Sequence, residues 1–72
     1  MEKHWINIYS STDPVEAEIL KHVFLKNNIH AVNINRQDSS YLMFGTIDLY
    51  IKSNNQKKAL RLIKKHQNER NT

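Results

Sequence analysis

The segment Gly45 to Lys52 (GTIDLYIK) alternates strictly between apolar and polar residues, and this alternation constrains the fold more than any other feature of the chain. Successive side chains of a strand point to opposite faces, so Ile47, Leu49 and Ile51 turn inward while Thr46, Asp48 and Tyr50 turn outward. A strand with that pattern lies in a sheet covered on one face only. Two further segments share the period of two. His4 to Ser10 (HWINIYS) sets Ile6 and Ile8 against Trp5, Asn7 and Tyr9. Ile29 to Asn35 (IHAVNIN) sets Val32 and Ile34 against Ala31 and Asn33. Both read as strands.

Helical periodicity fills the intervals. Asp13, Pro14 and Glu16 supply an N-cap, a proline at the first helical position and an acid at the third, the pattern of a capping box. From Pro14 to about Asn27 the apolar residues Ala17, Ile19, Leu20, Val23 and Phe24 fall on one face. Asn27-Asn28 stops the helix, because Asn tolerates the left-handed conformation. Ser53 and Gln56 repeat the capping signal before a second helix, whose inward stripe is Ala59, Leu62, Ile63 and His66, with Leu60 beside it. Arg36 to Phe44 lacks a regular period and reads as a loop. The polar residues 68–72 read as a fraying tail after an ordered core of about 4–67. The order is β-α-β-β-α: one α+β domain over 1–72, a three-stranded antiparallel sheet with two helices on one face. Its connectivity is that of the split βαβ in ferredoxin-like folds, without the fourth strand, which leaves the first strand as an exposed edge.

With 72 residues, a chain buries only about 60% of the surface it exposes when unfolded. Cys is absent, so no disulfide adds stability, and association with another copy is the remaining common route to it. The absence of Cys, of an apolar leader after Met1 and of a stretch of roughly 20 apolar residues points to a cytoplasmic protein with no membrane partner. Charge is divided unevenly. Residues 1–51 carry four Lys/Arg against six Asp/Glu, whereas residues 52–72 carry seven Lys/Arg against Glu69 alone.

The sheet face away from the helices is expected to display Trp5, Asn7, Tyr9, Ala31, Asn33, Thr46, Asp48 and Tyr50. Three aromatics on an uncovered face, next to an unpaired edge, suit the docking of another subunit or a peptide. The alternative is that Trp5 and Tyr9 shield the sheet with their polar tips in water. For binding, the residues of interest are Trp5, Asn7, Tyr9, Asp48 and Tyr50. A second candidate is the basic stripe of Lys57, Lys58, Arg61, Lys64 and Lys65, either a solvated helix face or a phosphate-contacting one. An RNA-binding module would combine it with base stacking on Tyr9 and Tyr50. Catalysis has no comparable support. His4, His22, His30 and His66 are dispersed without metal-ligand spacing, so neither a metal nor a cofactor is expected. Asp38, Ser39 and Ser40 have no His nearby in sequence to act as a base. Gly45 is the only glycine, which excludes a glycine-rich phosphate loop.

The run Asn35-Arg36-Gln37-Asp38-Ser39-Ser40-Tyr41, continued by Phe44-Gly45 and by Ile47 to Ile51, resembles the putative prokaryotic signal transducing protein family, a set of small bacterial domains. Trp5, Tyr9, Ala17, Ile29, Ala59 and Ile63 agree with it, and the likeness spans about residues 4–66. The resemblance implies a ferredoxin-like fold, distantly similar to the PII nitrogen-signalling proteins, and a signalling or regulatory role. In PII proteins the connection between the second and third strands contacts partners. Here that connection, Arg36 to Phe44, is much shorter, and no phosphate-binding glycine accompanies it, so PII nucleotide binding and trimerisation do not carry over. The motif residues Asp38, Ser39, Ser40, Tyr41, Phe44 and Gly45 admit two readings. They build a tight turn in which Gly45 takes a conformation closed to other residues, or they face a protein partner or small ligand. The expectation is a non-catalytic interaction or signal-transducing domain, self-associating as a homodimer or bound to another protein.

Overall fold

The computed structural model describes residues 4–36 and 45–70. The elements run β1 (Trp5–Ser11), α1 (Pro14–Lys26), β2 (Val32–Arg36), β3 (Thr46–Lys52), a 3-10 turn (Ser53–Asn55) and α2 (Gln56–Arg70). β3 is the central strand, with β1 and β2 each antiparallel to it. β1 and β2 therefore run parallel with β3 inserted between them. This is the split βαβ arrangement, consistent with a ferredoxin-like α+β fold. Among the described residues β1 and β2 are the sheet's two edges.

Both helices cover the β3 face that carries Leu49 and Ile51. Leu20 and Phe24 from α1 and Ala59 and Ile63 from α2 form one buried cluster with these residues and with Ile29 and Ala31. Ile6, Ile8, Tyr9 and Leu62 pack at its margin. Phe24 and Leu20 are among the largest fully buried side chains, so their truncation would leave the most costly voids.

The start of α1 is held differently from a reciprocal capping box. Asp13 is the N-cap and its Oδ1 accepts from the Val15 N–H at 3.0 Å. The Asp13 N–H does not go to Glu16; it donates to Ser11 Oγ at 3.0 Å. Glu16 Oε1 is turned towards the sheet, where it accepts from Tyr9 Oη at 2.8 Å and Ser11 Oγ at 2.9 Å. At the other end Asn28 adopts φ 64°. The Asn28 N–H donates to Leu25 O at 3.0 Å and the Ile29 N–H to Phe24 O at 2.8 Å. These two bonds make a Schellman motif, with Ile29 and Phe24 sharing the core as its hydrophobic contact.

Three expectations about facing are corrected. β1 contains a bulge between Asn7 and Tyr9: Ile6 pairs with Ile51 and Asn7 with Tyr50, but Tyr9 then pairs with Leu49 and Ser11 with Ile47. The extra residue reverses the alternation, so Tyr9 faces the helices rather than the open side. β2 also has the opposite facing from that expected. Val32 and Ile34 pair with Tyr50 and Asp48, while Asn33 and Asn35 pair with Leu49 and Ile47. Ile29, held in the core by the Schellman motif, and buried Ala31 start the inward set, and the period of two then sends Asn33 inward and Val32 outward. The strand itself begins three residues later than the alternation suggested. Finally, Ile19 and Leu60 lie outside the core, 45% and 48% exposed, because the inward stripes centre on Ala17, Leu20 and Phe24 and on Ala59 and Ile63.

Candidate interaction surfaces

The face of the sheet away from the helices is built from cross-strand rows. One row is Asn7, Tyr50 and Val32; the next is Ser10, Asp48 and Ile34. Trp5 pairs with Lys52 at the end of β1, and its ring meets that of His30 edge-on, with centroids 6.3 Å apart and planes at 74°. No described helix lies over these residues. Trp5, Tyr50, Val32 and Ile34 are each half-buried, while Asn7, Ser10 and His30 are exposed. The revised facing of β2 makes this surface more apolar than the sequence suggested. Tyr9 leaves it, and Val32 and Ile34 replace Ala31 and Asn33.

Asp48 belongs to this face as expected, but it does not offer a charge to solvent. It is 5% exposed and accepts a hydrogen bond from Ser10 Oγ at 2.7 Å. Ser10 Oγ also lies 3.3 Å from Asn7 Oδ1. A carboxylate buried in this way ties β1 to β3, since burial without hydrogen bonds would be costly. Of the five sheet residues singled out, the structure thus brings Trp5, Asn7, Asp48 and Tyr50 onto one face and sends Tyr9 to the other. Sequence reasoning missed Val32, Ile34 and His30. The signal that could have found them is the inward pull of Ile29 immediately after the helix stop.

The loop motif is only partly placed. Asp38, Ser39, Ser40, Tyr41 and Phe44 lie outside the described residues. Gly45 is half-buried just before β3.

The basic residues Lys57, Lys58, Arg61, Lys64 and Lys65 are all exposed on α2. Ala59 and Ile63 fix the inward side of that helix, so the cations occupy its outer side, with the helical layer between them and the open sheet face. A shallow groove lined by Asn27, Lys58, Arg61, Leu62 and Lys65 separates α2 from the end of α1. Lys58 Nζ donates to Asn27 O across it at 2.7 Å. A second concavity, lined by Arg61, Lys64, Lys65, Asn68 and Glu69, adjoins it. His4, His22 and His30 are exposed and His66 is half-buried in the inward stripe of α2. Among the described residues no three His, Asp or Glu side chains gather in a way that could hold a metal ion. Among the described residues no helix is long and apolar enough to cross a membrane.

The sequence model of a family described as putative prokaryotic signal transducing protein matches residues 5–67. The chain belongs to this family. Searches of curated proteins and of solved structures return no match. The matched span begins at Trp5 and ends in the last turns of α2, so it takes in every strand and both surfaces described above. The family description names signal transduction and specifies neither partner nor ligand.

Proposed function

We propose that this signal-transducing family member is a non-catalytic interaction domain of the bacterial cytoplasm, which docks a second copy of itself or another protein on its open sheet face and the adjoining β1 edge. The observation that carries this reading is the face itself: Trp5, Tyr50, Val32 and Ile34 form an apolar surface over which no described helix lies. Edge strands of this kind accept an added strand through main-chain hydrogen bonds, and neighbouring side chains confer selectivity. Each row is polar at one end (Asn7, Ser10 and Lys52) and apolar at the other (Val32, Ile34 and Trp5), so the apolar residues lie on both edge strands with Tyr50 between them.

The RNA reading has less support: Tyr9 faces α1, which leaves Tyr50 as the remaining stacking ring of the expected pair, and the cations of α2 lie on the far side of the helical layer from it. The small-ligand reading rests on residues 36–44, of which 37–44 lie outside the described residues.

The test is association measured alongside stability. Trp5→Ala and Ile34→Ser are expected to weaken self-association or capture of the partner at least tenfold while the thermal midpoint falls by only a few degrees. Sedimentation equilibrium with parallel melts reads both quantities. Unchanged association in both variants, with folding intact, rejects the open face as the docking surface.

A further inference from the structure

The outer side of α2 has no part in the sheet-face reading, and its chemistry is distinct. Lys57, Lys58, Arg61, Lys64 and Lys65 fall within about 120° of the helix circumference and span about 12 Å of its axis, from the 100° turn and 1.5 Å rise per residue. All five are exposed, and Glu69 is the one acidic residue of the segment 52–72. Arg61 and Lys65 line both of the adjoining concavities, so the cations border a hollow and do not radiate from a bare ridge. Lys58 is engaged with Asn27 O, which leaves Lys57, Arg61, Lys64 and Lys65 for an incoming anion.

The charge complement of such a surface is a polyanion of regularly spaced phosphates. Two features narrow the class. No Phe, Tyr or Trp lies between Gln56 and Arg70, and His66 is turned to the inward stripe, so the cationic surface has no aromatic ring on which to stack unpaired bases. No apolar residue interrupts the cationic stripe itself; Leu60 stands to one side of it, so there is no wedge to insert among lipid chains. What remains is contact with the outside of a double helix, whose two strands present closely spaced phosphates. We propose that the outer face of α2 binds the phosphate backbone of double-stranded nucleic acid without reading its sequence, on the side of the domain opposite the protein-docking face.

Fluorescence anisotropy with a fluorescein-labelled 20-base-pair DNA duplex tests this. Three to four phosphate contacts give a log–log salt slope of about −3, so affinity should fall roughly 40- to 150-fold between 50 and 200 mM salt. The triple variant Lys57→Gln, Arg61→Gln, Lys64→Gln should bind at least tenfold more weakly at 50 mM salt and flatten the slope to between about 0 and −1, each lost cation removing roughly one unit. If the triple variant melts early, Lys64→Gln alone should still reduce the slope by about one unit. Trp5→Ala should leave duplex binding unchanged, which separates this proposal from the docking of protein on the sheet. An unrelated duplex sequence should bind equally well. Absence of binding at 20 mM salt, an unaltered slope in the triple variant, or retention of phosphatidylglycerol vesicles without retention of the duplex would each overturn the assignment.

Discussion

Asn33 offers a direct test of which way β2 faces. Its register partner is Leu49 on the helix-covered side. Its amide Nδ2 makes a long 3.3 Å hydrogen bond to Glu18 Oε1, and its Oδ1 is buried with no hydrogen-bond partner among the described residues. A buried acceptor without a partner costs roughly 1–3 kcal/mol, and the exposed, long bond to Glu18 offsets only a fraction of this. Asn33→Val removes the orphaned oxygen, puts a β-branched residue in a strand and adds apolar contact beside Leu49. A net gain of about 1–2 kcal/mol is expected, which for a domain of this size raises the thermal midpoint by roughly 4–16 °C. Circular dichroism melts, with urea titrations to confirm that the m-value is unchanged, measure it. Were Asn33 instead on the open face, the substitution would leave the midpoint nearly where it was and would enlarge the docking surface. An unchanged or lowered midpoint with altered self-association therefore refutes the register argument.

Two other substitutions probe the junctions that set this facing. Tyr9→Phe removes the hydroxyl that donates to Glu16 while leaving the ring in place. It should cost about 1–2 kcal/mol in urea denaturation and leave self-association unchanged, because the ring lies under α1. Asn28 sits at φ 64°, so Asn28→Ala should destabilise by about 1 kcal/mol, whereas Asn28→Gly should be neutral or slightly stabilising. Equal midpoints for Ala and Gly at this position would argue against the Schellman closure of α1.

The elements themselves were legible because each has a local cause. Pro14 after Asp13 marks the start of α1 whatever surrounds it. Asn28 marks its end, and the alternation of Ile47, Leu49 and Ile51 marks β3. The candidate surfaces were legible only in part. The cations of α2 repeat at helical spacing opposite Ala59 and Ile63, which local periodicity alone places on the outside. The sheet face was read with one aromatic too many and two aliphatics too few. A bulge carries no residue signature here, since Ile8 looks like any inward isoleucine, yet it reverses every side chain after it. In β2 the apolar pair Val32 and Ile34 pointed to the core when judged by hydrophobicity alone.

Local sequence thus determined the kind and order of the described strands and α-helices, the N-cap residue and the stop of the first helix and the one-sided charge of the last, because these follow from backbone preference and short-range spacing. The tertiary structure decided which face of each strand meets the helices. A period of two is symmetric, and only contacts distant in sequence break the symmetry. Ile29 held against Phe24 sets the facing of β2, and the pairing of Tyr9 with Leu49 across the bulge sets that of β1's second half. Those contacts turned Val32 and Ile34 outward beside Trp5 and Tyr50, and so made the surface on which the proposed docking depends.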